Sequence, residues 1–89
     1  MIIKFFALIR DYTGSKEISV EGCHTLRELL NKLCSRYGKS FSEKLFAGDR
    51  LSEDIIILVN GRHIEPLTGL DTGLEENDEI SIFPRIAGG

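Results

Sequence analysis

No apolar run in this chain approaches the roughly 20 residues that a bilayer-crossing helix requires, so no segment is expected to span a membrane. The cysteines are few. Cys23 and Cys34 share no CxxC spacing and have no nearby histidine pair, which argues against both a zinc site and a redox dithiol. A Lys/Arg stripe interleaved with aromatics is missing as well, and 14 acidic residues outnumber 11 basic ones. Nucleic acid is therefore a poor partner, and a basic protein surface a better one. There is no glycine-rich phosphate loop, and no Ser/His/Asp or Cys/His arrangement that would support catalysis. The opening MIIKFFALIR has no basic leader before its apolar stretch and no small-residue cleavage site after it. It reads as a strand, and the protein as cytoplasmic.

What remains is one small domain with a single hydrophobic core, since 89 residues leave little area for a second. Residues 2–9 are rich in β-branched and aromatic side chains, and turn signals follow at Asp11 and Gly14. KEISVEG then alternates through Ile18 and Val20, so the two segments predict a hairpin. From Thr25 the period changes to that of a helix. Leu26, Leu29, Leu30, Leu33, Cys34 and Tyr37 fall on one helical face, Thr25 and Glu28 form a capping-box pattern, and Gly38 occupies the place of a left-handed C-terminal cap. Cys34 on that stripe reads as a packed core thiol.

Residues 40–54 suggest a short helix followed by a loop. IIILV at 55–59 is continuously apolar and predicts a central strand buried on both faces. Asn60-Gly61 behind it is a type I′ hairpin pair, with RHIEPL as a return strand cut short by Pro66. A turn-rich stretch leads to EISIFP, a last alternating strand. Strand, strand, helix, strand, short strand, strand is the order of an α+β domain of the β-grasp, ubiquitin-like kind. It would have a mixed sheet of four to five strands, one main helix on one face and a free C-terminal tail. The domain is expected over residues 1–84 and the flexible tail over 85–89.

Alternation also predicts which faces are spare. In the last strand Ile80 and Ile82 suit the core, and Ser81 and Phe83 point the other way. In the first, Ile3, Phe5, Ala7 and Ile9 form an uncharged set, whereas Ile2, Lys4, Phe6 and Leu8 include a lysine. Pairing of the two strands would bring Phe6 and Phe83 together on the open face, an apolar patch that calls for a partner. The alternatives are a loop that covers them or a bulge that inverts one strand.

With these residues in view, VNGRHIEPLTGLDTGLEENDEISIFPRIAGG resembles the C-terminal half of the MoaD/ThiS sulfur carriers, and IIKFFALIRDYTG resembles their opening strand and turn. The likeness is greatest to the archaeal-type branch of MoaD, the small subunit of molybdopterin synthase. Phe83-Pro84 followed by Gly88-Gly89 is its most specific part. The resemblance implies a non-catalytic carrier with no bound cofactor. An E1-like enzyme would use ATP to adenylate the Gly89 carboxylate, and a persulfide would replace AMP to leave a thiocarboxylate. In molybdopterin synthase the tail, Arg85, Ile86, Ala87, Gly88 and Gly89, would enter the large subunit and give its sulfur to a pyranopterin precursor. Two residues without Cβ atoms keep such a tip slim enough for a narrow channel.

The resemblance also implies an apolar docking surface at Phe6 and Phe83, with Pro84 beside it; His63 stands where relatives commonly carry an apolar side chain, and it reads either as the rim of that patch or as an exposed hairpin histidine. Arg85 departs from the frequent second proline, and Asn77 from a frequent glycine before the final Asp. Glu75, Glu76, Asp78 and Glu79 could steer a basic partner. Competing readings are a sulfur carrier for thiazole, tRNA or cysteine synthesis, a ubiquitin-like modifier of lysines, and an interaction module with an inert tail.

Overall fold

The first strand is shorter than its composition suggests. The computed structural model describes residues 1–85, and in it β1 covers only Ile2–Phe5. Ala7 takes φ 51, which turns the chain out of the sheet. Ile9, Arg10 and Asp11 then donate backbone N–H groups to the carbonyls of Phe6, Ala7 and Leu8, opening a short helix α1, Ile9–Thr13. The expected turn thus contains a helical turn. Its cost to the alternation is local: Ile3 and Phe5 are buried as expected, Ile9 is buried from the helix instead of the strand, and Ala7 is exposed.

The chain continues through β2 (Glu17–Ser19), α2 (Leu26–Tyr37), α3 (Lys39–Leu45), β3 (Phe46–Ala47) and β4 (Arg50–Leu51). After these come β5 (Ile55–Val59), β6 (Arg62–His63), a 3-10 turn at Thr68–Asp71 and β7 (Glu79–Pro84). The main sheet has the order β2-β1-β7-β5-β6. β1 and β7 run parallel at its centre and every other pairing is antiparallel, which is the mixed β-grasp sheet expected.

α2 forms where its period and caps predict. The Thr25 hydroxyl accepts the Glu28 N–H at 3.2 Å, and the Glu28 carboxylate accepts the His24 N–H at 2.9 Å, one residue before the usual reciprocal partner. Gly38 ends the helix with a positive φ of 93, but its ψ of −170 is extended, so the chain passes straight into α3 instead of making a left-handed cap. Leu26, Leu29, Leu30 and Leu33 are completely buried and share one core with Ile3, Phe5, Ile57, Ile80 and Ile82. Phe5 meets Tyr37 edge-on at 6.0 Å, and Phe41 of α3 packs between Tyr12 and Tyr37, which joins the three helices. Cys23 is buried, Cys34 is half-buried against the core, and both are free thiols.

Two further expectations need correction. Residues 46–51, read as loop, form the two-stranded β3–β4 hairpin, which buries Leu51. β5 is covered on one face only: Ile55, Ile57 and Val59 are buried, whereas Ile56 and Leu58 are half-buried, and β7 holds the centre of the sheet. A continuous apolar run looks the same whether its second face is buried or merely apolar. The turn behind it behaves as expected, with φ of 52 at Asn60 and 82 at Gly61, although the return strand is only two residues long.

Candidate functional site

The open face of the sheet carries the residues singled out above. Cross-strand register puts Lys4 beside Ser81, Ile56 beside Phe83, Leu58 beside both Ser81 and His63, and Ile2 beside Glu79. Phe6 lies just past β1 and donates its N–H to Ile82 O, so its ring falls next to Phe83. The two rings stack with centroids 4.2 Å apart and an interplanar angle of 8°. Both are half-buried, covered by neither a loop nor an inverted strand. A stacked aromatic pair adds about 0.5–1.5 kcal/mol beyond area burial, which holds the two rings as one apolar plate.

Several residues of this face escape a reading by local pattern. Ile56 and Leu58 extend the plate along β5. Leu8, two residues past Phe6 at the start of α1, is 43% exposed and the more exposed of two large apolar side chains on the described surface. Arg10 donates Nε to Phe5 O at 2.9 Å, and this bond holds its guanidinium 5.9 Å from the Phe6 centroid. The stack thus runs Arg10, Phe6, Phe83. The unbroken IIILV run was the available signal for Ile56 and Leu58; Arg10 had none, because α1 was not foreseen.

His63 is exposed on β6, opposite Leu58, and so belongs to the rim of this face. Pro84 does not join the plate. It follows the alternation of Ile80 and Ile82, pairs with Ile55, and is half-buried on the opposite side from Phe83. Arg85 leaves the end of β7 with its N–H donated to Asp54 O at 2.6 Å and its Nε donated to Glu53 O at 2.8 Å. Ile86, Ala87, Gly88 and Gly89 lie outside the described residues.

The acidic cluster sits at the other end of β7, and half of it is engaged within the fold. Asp78 accepts the Glu75 N–H at 2.7 Å and the Asn60 side-chain amide at 2.8 Å. These bonds, the Glu75 N–H first, hold its carboxyl below the ordinary value against a small opposing effect of burial. Glu79 pairs with Lys4 at 3.1 Å. Glu75 and Glu76 are exposed. Glu65 is likewise held below its ordinary value, chiefly by the Thr68 hydroxyl and then by the Thr68 and Leu67 N–H groups, just before the 3-10 turn. Among the described residues, no group of three His, Cys, Asp or Glu side chains is placed to hold a metal, and no helix is long and apolar enough to cross a membrane.

Comparison with known proteins bears on the fold and on the length of chain that is shared. The chain is 32% identical to small archaeal modifier protein 3 of Haloferax volcanii over 89 residues, which is 98% of this chain and 96% of that one. Its fold matches the solution structure of small archaeal modifier protein 1 from Methanosarcina acetivorans with a TM-score of 0.82 at 34% identity, covering 99% of this chain and 94% of the other. It matches a chain of the BexX/CysO complex of Amycolatopsis orientalis with a TM-score of 0.84 at 25% identity, covering 99% and 98%. Residues 3–89 match the ThiS family. A mixed sheet around parallel β1 and β7, similarity over almost the whole length and a family match that runs through the terminal glycines agree with one another, and the chain belongs to the ThiS/MoaD family of ubiquitin-like sulfur carriers and modifiers.

Proposed function

We propose that the chain is a sulfur carrier whose Gly89 carboxylate is adenylated by an E1-like enzyme and converted to a thiocarboxylate that supplies sulfur for molybdopterin synthesis. The observation that carries this reading is the Phe6–Phe83 plate on the open face of the strand whose far end leads to Gly88-Gly89. A docking surface beside the end of β7 and a reactive carboxylate five residues beyond that strand suit a substrate that must present itself in turn to two larger proteins. Burying each ring against a partner is worth about 1.5–3 kcal/mol before the costs of association.

In this chemistry the chain contributes the carbonyl carbon. Attack of the carboxylate on ATP releases pyrophosphate and leaves an acyl-adenylate; the terminal sulfur of a persulfide then adds to the carbonyl and AMP departs, leaving an acyl disulfide. Attack of a second thiol on that S–S bond releases the thiocarboxylate and forms a disulfide that an external thiol reduces. The activating enzyme provides the nucleotide site, the metal and the oxyanion contacts. Molybdopterin synthase would receive the loaded tail in its large subunit, with Phe6, Phe83, Ile56 and Leu58 against that subunit and His63 at the edge.

Intact mass tests the first step. Incubation with ATP, magnesium, a sulfur donor and the activating enzyme of the same genome should add the mass of sulfur replacing oxygen. No gain, with the enzyme active on another carrier, overturns the reading. A second reading, attachment of Gly89 to lysines of target proteins, is favoured by the identity to small archaeal modifier protein 3. Diglycine remnants on lysines after protease digestion would establish it. Formation of the dithiolene product from a pyranopterin precursor and the large subunit separates molybdopterin synthesis from thiazole, tRNA or cysteine as the destination of the sulfur.

A further inference from the structure

We propose that Arg85 is a positioning residue: it fastens the end of β7 to the turn before β5, and so sets the point from which Gly89 reaches. The fastening has two parts. The Arg85 N–H continues the β5–β7 ladder by one bond, to Asp54 O at 2.6 Å, immediately after Pro84, which has no N–H to give. The side chain then folds back and donates Nε to Glu53 O at 2.8 Å.

The accepting turn is itself braced. Ser52 O accepts the Ile55 N–H at 3.2 Å, and Ser52 Oγ accepts the Asp54 N–H at 3.1 Å. The Ser52 N–H is bonded to Leu45 O at 2.9 Å, and Leu51, buried in the core, donates its own N–H to Pro66 O at 3.0 Å. The carbonyls of Glu53 and Asp54 are therefore held in place before Arg85 arrives. A proline at this position could make neither bond, and a lysine would keep the charge without the planar Nε donor.

The consequence concerns reach. Four residues follow Arg85, and at about 3.3–3.6 Å each they extend at most about 13–14 Å. The carboxylate must therefore meet the adenylating site within that distance of the edge formed by Arg85 and residues 53–54. Fixing Arg85 in advance removes one residue from the segment that has to be ordered when the tail enters an active site, which lowers KM without touching the chemical step. The kinetic part of this inference rests on the carrier reading; the tether does not.

The test compares wild type, Arg85→Ala and Arg85→Lys in the full chain, by 15N relaxation at residue 85 and by the kinetics of sulfur uptake with the activating enzyme. A tethered Arg85 has a backbone order parameter near 0.8, roughly that of the sheet; both variants keep the backbone bond to Asp54 but lose the Nε bond to Glu53, and fall below wild type toward about 0.6. Both variants should also raise KM about five- to tenfold with kcat within about twofold. An order parameter at residue 85 that is already low in wild type overturns the tether. Restoration of the wild-type KM by Arg85→Lys overturns it too, because charge alone would then be what the enzyme reads. Wild-type protein that takes up no sulfur overturns the carrier reading and the kinetic role with it, while the order parameter still decides the tether.

Discussion

Alternate residues of β1 and β7 live in two different surroundings. Ile3, Phe5, Ile80 and Ile82 are fully buried in the core shared with the leucine stripe of α2. Their neighbours Lys4, Phe6, Ser81 and Phe83 lie on the face away from α2, and each is half-buried, Phe6 in part by Arg10 of α1. The core face is apolar throughout. The open face is mixed along its length, with a Lys4–Glu79 ion pair toward one end and the Arg10–Phe6–Phe83 stack toward the other. One face is composed to hold the domain together, and the other concentrates its apolar area near the end of β7 from which the tail departs.

The sharpest way to separate fold from function is to remove the terminus. Deleting Gly88 and Gly89 should abolish sulfur uptake measured by intact mass and leave Tm within about 1 °C of wild type, since a chain terminus beyond the last strand adds little to the core. Next in size is Leu30→Ala on the core side. Leu30 is completely buried, so urea unfolding should register a loss of about 2–5 kcal/mol, with sulfur uptake per folded molecule unchanged.

Phe83→Ala is the counterpart on the open face. It should cost about 1 kcal/mol of stability, mostly the lost stack, yet weaken binding to the partner about tenfold or more by calorimetry. If Phe83→Ala destabilised the protein as much as Leu30→Ala, the open face would be part of the core in all but name and the contrast would collapse.

The smallest effect is one of pH, and it belongs to the acidic end. A carboxyl held below its ordinary value in the fold stabilises at pH above the unfolded value, near 4, and that stabilisation is lost as pH falls through the folded value. Wild type should therefore be more stable than Asp78→Ala at pH 6, and the two unfolding curves should converge toward pH 3. A difference that stays constant over this range would mean that Asp78 acts without its charge.

Parts of this molecule could be read without coordinates. α2 announces itself through the spacing of Leu26, Leu29, Leu30 and Leu33 and the Thr25/Glu28 pair, all signals contained within one helix. The facing of Ile80, Ile82 and Phe83 follows from the pleat alone. Ala7 is different: nothing nearby marks a non-glycine residue with positive φ, so the end of β1 and the helix α1 stayed hidden, and Arg10 with them. Ile56 and Leu58 read as core yet are half-buried, because hydrophobicity reports preference for apolar surroundings and not whether a second layer lies over that face.

The sequence by itself determined the main helix, the alternation of the last strand and the slim diglycine end, because each depends on residues a few positions apart and on their intrinsic geometry. Only the tertiary structure decided that β1 lies parallel to β7, that Phe6 and Phe83 from opposite ends of the chain stack at 4.2 Å, and that Arg85 is tied to Glu53 and Asp54. Those contacts join residues far apart along the chain. They form only when burial of the shared core has already drawn the segments together, so no local pattern could record them.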